Sequence, residues 1–96
     1  MRDERFEWDD DKAHSNLVRH RIDFEDARLV FDDPGLVDDD DDTMDYGEER
    51  YRAVGMVKGR MIAVFYTLRD ERIRIISARA ATRKEQRDYV GQNPPT

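Results

Sequence analysis

The sequence predicts an α+β fold, in which a small and mostly antiparallel sheet is combined with helices. Strand-like segments follow one another between residues 50 and 79, with alternating or continuous apolar character. Capping residues mark helices on both sides of these segments. A chain of 96 residues has room for one modest core, so we expect a single domain over residues 1–96, with its core at about 6–90 and a flexible tail at 91–96.

The N-terminal half predicts one strand and two helices. Residues 6–8 form a short aromatic strand, and Asp9 and Asp10 offer N-cap oxygens to a helix from about Asp11 to His20. Asp23 caps a second helix and, with Asp26, resembles a capping box. The apolar side of this helix comprises Phe24, Ala27, Val30 and Phe31. A turn at Asp33, Pro34 and Gly35 ends the helix.

Five consecutive aspartates, Asp38 to Asp42, follow a weak strand at Leu36 and Val37. Their charges repel one another and aspartate has low strand propensity, so we interpret the run as an exposed loop. A second hypothesis is that the run mimics phosphate, and covers a basic site or meets a basic partner. Unchanged partner affinity and salt dependence after replacement of the run by serines would refute it.

The second half predicts three antiparallel strands and a helix. The strands cover Arg50–Val57, Arg60–Leu68 and about Arg72–Arg79, and Lys58-Gly59 form the first connecting turn. The middle strand is apolar at both parities and should be central. Thr82 and Glu85 form a capping box for a final helix that runs to about Val90.

The two-residue period places Arg79 on the same face of the last strand as Ile73, Ile75 and Ser77. Its aliphatic stem should therefore be partly buried, and a buried guanidinium needs an anion. Glu7 and Glu85 are as plausible as a phosphate.

Charge divides the chain into two halves. Residues 1–48 carry six Lys or Arg and eighteen Asp or Glu, whereas residues 49–96 carry eleven and five. Apart from Arg79 and Arg83, much of the positive charge of Arg72 to Tyr89 should answer the acidic half of the same protein. Cysteine is absent, which excludes disulfides and thiolate metal sites. The longest apolar run, residues 61–66, is too short for a membrane span and no signal peptide is recognisable, so we expect a cytoplasmic protein.

An ordered set of segments resembles the BrnT family of toxins, over about residues 6–90. In the first half these are Phe6-Glu7-Trp8-Asp9, then Lys12, Asn16 and His20, then Phe24-Glu25-Asp26-Ala27 and Val30-Phe31-Asp32-Asp33-Pro34. In the second half they are Gly47-Glu48-Glu49-Arg50, Gly55, Ile73 to Arg79, Ala81-Thr82-Arg83-Lys84-Glu85 and Tyr89. The family commonly has Lys-His-Gly after the first helix, where this chain has Arg19-His20-Arg21, and Arg21 brings the left-handed helix cap into question.

The resemblance implies a small ribonuclease toxin of the RelE-like superfamily, acting in a type II toxin-antitoxin pair. It also implies a ribbon-helix-helix antitoxin, BrnA, that neutralises the toxin and joins it in repressing their operon. DNA would then be contacted only through the antitoxin.

RNA cleavage without a metal or cofactor needs proton transfer and cations that stabilise the phosphorane. Histidine and arginine suit these tasks. The predicted catalytic residues are His20, Arg50, Arg79, Arg83 and Tyr89, and the predicted substrate-binding residues are Lys12, Arg52 and Arg74.

Simpler interpretations stay open for the same residues. His20 can compensate a helix dipole, and Lys12 and Asn16 can form a solvated helix face. Arg50 and Arg52 can be edge charges or partners of acidic residues.

Two function classes follow: a toxin ribonuclease, or a non-catalytic module that pairs with an antitoxin in an autorepressing DNA-binding complex. The sequence pI of about 4.9 modestly favours the second, because RNA is repelled at long range. A small-molecule enzyme is least favoured, since neither a glycine-rich phosphate loop nor a nucleophile elbow is present. The discriminating question is whether His20, Arg50, Arg79 and Arg83 converge on one open surface or are each bound by carboxylates.

Overall fold

The computed structural model describes residues 1–41 and 49–95. Within them the chain forms five strands, three α-helices and one 3-10 helix, which confirms the predicted α+β class. In chain order these are β1 (Phe6–Glu7), α1 (Asp10–His20), α2 (Phe24–Ala27), the 3-10 helix (Arg28–Asp32), β2 (Val37–Asp40), β3 (Tyr51–Val57), β4 (Arg60–Arg69), β5 (Arg72–Ala80) and α3 (Arg83–Gln92). Among the helices so described, none has the length and apolar character needed to cross a membrane.

The strands form one mixed sheet in the order β1-β5-β4-β3-β2. β1 pairs with β5 in parallel, and the other pairs are antiparallel. The predicted meander is therefore confirmed as β3-β4-β5. A strand does precede it, but it covers Val37–Asp40 and not Leu36 and Val37. The predicted central strand is also confirmed, because β4 lies in the middle of the sheet.

The main core lies between one face of the sheet and the helices of the first half. Ile62, Val64 and Tyr66 of β4 point into it at every second position. Phe24 and Val30 reach it from α2 and the 3-10 helix, and both are fully buried. Burial of such side chains stabilises the fold by about 1.5–3 kcal/mol each, so this layer holds the helices on the sheet.

The opposite face of the sheet is partly covered by α3. Val54 and Ala63 form a small second core there, against which Tyr89 of α3 packs. The rest of this face is polar. We call it the arginine face, and it carries Arg52, Phe65, Thr67, Arg74, Ser77 and Arg79.

The predicted side-chain alternation in β5 is wrong beyond Ile75. Two neighbouring residues of β4 pair with Ile75 and Ser77, so Ile76 between them is an extra, bulged residue. The bulge moves all later side chains to the other face. Arg79 therefore lies on the arginine face and not beside Ile73. A two-residue period cannot reveal an unpaired residue, which is why the sequence pattern misplaced Arg79.

The aspartate run is not a loop over its first three residues, because Val37–Asp40 pair with β3 as the outermost strand. Alternation places neighbouring aspartates on opposite faces, where Asp38 and Asp39 each accept hydrogen bonds. Asp39 accepts a hydrogen bond from Arg52 Nη2 at 3.0 Å. Asp38 accepts from the Tyr66 hydroxyl at 2.7 and 2.8 Å. These contacts offset the repulsion. Asp42, like Gly47 and Glu48 of the resembled motif, lies outside the described residues.

The predicted second helix is shorter and less regular than expected. Asp23 caps it as predicted, accepting from the Glu25 N–H at 3.0 Å, but the α-helix ends at Ala27 and continues as the 3-10 helix. Asp26 does not complete a capping box, since its carboxylate pairs with Lys58 Nζ at 2.8 Å. The turn predicted at residues 33–35 does end this helical segment.

The turn after the 3-10 helix reaches the free edge of β3, beyond the end of β2. Asp33 accepts hydrogen bonds from the backbone N–H groups of Gly35 (2.8 Å) and Met56 (2.7 Å). A side chain at Gly55 would meet Asp33 Oδ2 at 2.9 Å and Val30 Cγ2 at 3.0 Å. Glycine at position 55 is therefore what lets this turn approach the strand.

Candidate functional site

A buried carboxylate lies against the arginine face. Glu85 is the third residue of α3, and the predicted capping box holds it there: Thr82 Oγ1 accepts from the Glu85 N–H at 3.2 Å, and Glu85 Oε1 accepts from the Thr82 N–H at 2.9 Å. Its side chain is only 6% exposed. A buried carboxylate requires cationic partners, and β3 and β5 provide them.

Arg79 binds Glu85 through two parallel hydrogen bonds. Nη1 donates to Oε1 at 2.7 Å and Nη2 donates to Oε2 at 3.1 Å. Arg52 Nη1 lies 3.5 Å from Oε2. Burial alone would raise the pKa of Glu85, but the hydrogen bonds from Arg79 and Thr82, with the charges of Arg79 and Arg52, lower it below its ordinary value. Glu85 is therefore an ionised carboxylate shared by two arginines.

The guanidinium of Arg79 keeps one edge available. Its carbon lies 5.1 Å above the centroid of the Phe65 ring, a cation–π geometry. Nη1 also donates to the Ala80 carbonyl oxygen at 3.2 Å. A guanidinium has five N–H donors, and those of Nε and the second hydrogen of Nη2 have no hydrogen bond within residues 1–41 and 49–95. These two donors lie on the same edge, which suits a phosphate.

Arg52 and Arg74 of the arginine face are also close to carboxylates. Arg52 joins Glu85 to Asp39, and its pKa is raised mainly by the hydrogen bond with Asp39. Arg74 Nη1 lies 3.6 Å from Glu7 Oε2 of β1. Arg50 immediately precedes β3, and its carbonyl oxygen accepts from the Asp41 N–H at 2.8 Å.

His20 and Lys12 line a separate groove, which we call the His20 groove. β1 pairs only with the start of β5. In the part of the chain that the structure describes, the edge of β5 beyond Arg74 has no neighbouring strand, and α1 packs against it. The lining residues are Asp11, Lys12, Ser15, Asn16, Arg19, His20, Ile76 and Ser77.

Asn16 is not part of a solvated helix face, contrary to the simpler interpretation. It is 6% exposed, its Oδ1 accepts from the Ala78 N–H at 3.0 Å, and its Nδ2 donates to the Ile22 carbonyl oxygen at 3.0 Å. The amide thus satisfies the open edge of β5 and the connection between α1 and α2. Helical spacing grouped Asn16 with Lys12 and His20, but spacing does not show which neighbouring element a face meets.

Ser77 connects the two regions. It lines the His20 groove, and it lies on the arginine face two residues before Arg79. Two residues along a strand span about 7 Å. The His20 groove therefore borders the arginine face at Ser77, two residues along β5 from Arg79.

Arg83 and Tyr89 lie away from the Glu85 cluster. Arg83 lines a shallow surface on the outer side of α3 with Gln86, Arg87, Val90 and Gly91. The Tyr89 hydroxyl donates to Asp33 Oδ2 at 2.8 Å, and this hydrogen bond raises the pKa of Tyr89. The predicted residues thus form an arginine cluster, an adjoining histidine groove and two outlying positions on α3.

The sequence predicted Glu85 as a cap and, with Glu7, as a possible anion for Arg79, and the contact between Arg79 and Glu85 is confirmed. The capping box signalled its position, but its contacts with Arg52 and Arg79 depend on the bulge in β5, for which the sequence gives no signal. Phe65 and Ser77 were likewise not selected, because their importance comes from the residues beside them.

A family model described as the ribonuclease toxin BrnT of a type II toxin-antitoxin system matches residues 8–85. The chain belongs to the BrnT family. The resemblance drawn from the sequence is thereby confirmed. The match spans α1 to Glu85, so it includes the arginine face and the His20 groove, and Tyr89 lies beyond it. A toxin of a type II pair has an antitoxin partner. No individual curated protein matches this BrnT-family chain.

Proposed function

We propose that this BrnT-family chain is an endoribonuclease toxin that cleaves RNA on the arginine face and thereby inhibits translation and growth. The observation that carries the proposal is Arg79: Glu85 holds its guanidinium over Phe65 with two donors open, two residues along β5 from Ser77 of the His20 groove. We further propose that the chain is one RelE-like domain, with its core at residues 6–90.

The proposed reaction requires no metal. The RNA 2′-hydroxyl attacks the adjacent phosphorus, the bond to the 5′-oxygen breaks, and a 2′,3′-cyclic phosphate and a 5′-hydroxyl result. His20 transfers the protons, a role suited to imidazole near neutral pH. Arg79 binds the phosphate and stabilises the added negative charge of the phosphorane.

The remaining predicted residues serve the same reaction. Arg50, next to β3, adds positive charge on the side of Arg52. Arg83 and Tyr89 lie away from the Glu85 cluster, so they contact RNA that flanks the scissile phosphate, Tyr89 by a hydrogen bond or by stacking on an unpaired base. Lys12, Arg52 and Arg74 hold neighbouring phosphates, because they flank Arg79 and His20 on the two adjoining regions.

We propose a BrnA-like ribbon-helix-helix protein as the antitoxin. In this proposal the pair binds operator DNA through the antitoxin and represses its own operon. Co-purification with the protein encoded next to the toxin tests the pairing directly.

The cleavage experiment uses purified chain and end-labelled RNA in EDTA. We expect cleavage by the unmodified chain and a loss of at least about 100-fold in Arg79→Ala and His20→Ala. Arg87→Ala is the matched control: it removes the same charge from the outer side of α3 and should leave cleavage unchanged. The same variants should relieve growth arrest when the toxin is expressed without its antitoxin. Intact RNA with folded, unmodified chain would contradict the proposal.

A second candidate function is antitoxin pairing without catalysis. The ion pairs of Arg52, Arg74 and Arg79 and the net charge of −6 favour it, because both weaken attraction of RNA. It predicts a stable complex with the antitoxin, uncleaved RNA and unaffected growth.

A further inference from the structure

We infer that Glu85 is a positioning residue for RNA cleavage, and that its charge orients Arg79 toward the scissile phosphate. The inference rests on the proposed function, and it assigns to Glu85 a role that the capping box does not require. Glu85 does not contact the phosphate in this scheme. It acts through the guanidinium that does.

The first argument is that the two edges of the Arg79 guanidinium have different partners. Glu85 occupies the end edge, formed by Nη1 and Nη2, with a bidentate contact. The Ala80 carbonyl takes the remaining hydrogen of Nη1. The side edge, formed by Nε and Nη2, is the only pair of donors left for a second bidentate contact. A guanidinium bound in this way has one orientation above Phe65, whereas a guanidinium without its carboxylate can rotate.

The second argument is burial. Glu85 is 6% exposed, and the two arginines that meet it are 26% and 32% exposed. A capping box works equally well with glutamine at this position, so the cap does not need a charge. A buried charge costs free energy unless it is paired, and this one is paired only because Arg52 and Arg79 converge on it. The charge therefore serves the arginines rather than the helix end.

The third argument concerns sign. A carboxylate beside an RNA-binding surface repels phosphate, so removing it should strengthen binding if attraction alone mattered. Positioning has the opposite consequence for the chemical step, because a misplaced guanidinium stabilises the phosphorane less well. Removal of the charge should therefore leave KM equal or lower it, because binding is not weakened, and should lower kcat, because the chemical step is slower.

The test compares Glu85→Gln with Thr82→Ala in cleavage kinetics, with thermal unfolding as a check of folding. Glu85→Gln keeps a side chain that completes the capping box but removes the charge. Thr82→Ala removes the capping hydroxyl but keeps the Thr82 N–H contact with Glu85. We expect kcat to fall about 100-fold in Glu85→Gln and to stay near the unmodified value in Thr82→Ala. Affinity for a 2′-O-methyl RNA, which cannot be cleaved, should stay equal or increase in Glu85→Gln.

Three results would overturn the inference. Normal cleavage by Glu85→Gln would make Glu85 a cap only. Equal losses in Glu85→Gln and Thr82→Ala would assign the effect to the helix end and not to the charge. Absence of cleavage by the unmodified chain would overturn the proposed function and this inference with it, and it is distinguished from the first two results because no variant is needed to observe it.

Discussion

Arg21 ends α1 in a conformation that side chains disfavour. Its φ and ψ are 59° and 31°, and its N–H donates to the Leu17 carbonyl oxygen at 2.9 Å. The glycine common in the family at this position is therefore not required for the left-handed cap. Hydrogen bonding and the packing of Ile22, which is 4% exposed, hold the residue in place despite the steric cost.

Arg21→Gly should stabilise the protein by about 1 kcal/mol, because glycine adopts positive φ without strain. Urea denaturation measures the change. Arg19→Gly is the matched control: it lies inside the same helix, is also exposed, and should destabilise by about 1 kcal/mol. Equal effects of the two variants would contradict the conformational explanation.

Asn16 shows what a buried amide contributes. Asn16→Ala leaves the Ala78 N–H and the Ile22 carbonyl without their partner, so we expect a loss of about 2–4 kcal/mol in the free energy of unfolding. Ser15→Ala, at an exposed position of the same helix, should change it by less than about 0.5 kcal/mol. Denaturation of both variants provides the measurement, and a small loss in Asn16→Ala would show that water replaces the amide.

At the scale of elements, the sequence predicted what local rules determine. Alternation located β3, continuous apolar character located β4, and capping residues located the starts of α1 and α3. The contacts that depend on how the elements pack did not follow from the sequence pattern. The bulge at Ile76 decides which face Arg79 occupies, and the ladder with β3 turns the aspartates of residues 38–40 into a strand, yet neither follows from local propensity.

α3 is anchored by two carboxylates, one at each end. Glu85 holds its N-terminal turn to β5 and β3, and Tyr89 donates to Asp33 near its C-terminal end. Burial opposes ionisation of Asp33, but hydrogen bonds from Met56, Gly35 and Tyr89 lower its pKa below the ordinary 3.8. The pKa of Glu85 likewise lies below 4.5.

The lowered pKa values of Asp33 and Glu85 predict how the free energy of unfolding falls at acidic pH. Because each group titrates lower in the folded state, the unfolded chain binds protons first as the pH falls. The contribution to stability is complete above the unfolded values of 3.8 and 4.5 and is lost as the pH falls through the lower folded values. Urea denaturation between pH 6 and pH 3 should show this loss. Glu85→Gln should reduce the loss of unfolding free energy over this pH range. Asp88→Asn, on the same helix, serves as the control.

At the scale of the whole molecule, the acidic and basic halves meet. Glu7 with Arg74, Asp26 with Lys58, and Asp39 with Arg52 join one half to the other. Within Arg72 to Tyr89 the expectation holds for Arg74, which pairs with Glu7, whereas Lys84 pairs with Asp88 of its own half. The counts of charged residues predicted that the two halves attract each other. They did not predict which guanidinium groups keep donors open for a ligand.

Asp39 tests whether the chain restrains its own affinity for RNA. Asp39→Ser removes the hydrogen-bond partner of Arg52 Nη2 on the arginine face, so affinity for uncleavable RNA should rise about fivefold at low salt and fall more steeply as salt is added. Asp40→Ser removes the same charge from the opposite face of β2 and is the control. Equal gains in both variants would mean that only net charge matters.

The parallel pairing of β1 with β5 also sets the order of events during synthesis. Phe6 pairs with Ile73, so β1 cannot join the sheet until β5 has been synthesised. Arg79 is in turn oriented by Glu85, which is synthesised later still. Non-local pairing of this kind is slow, since a long loop must close before any contact forms. The arginine face therefore cannot form until the chain has been synthesised at least as far as Glu85.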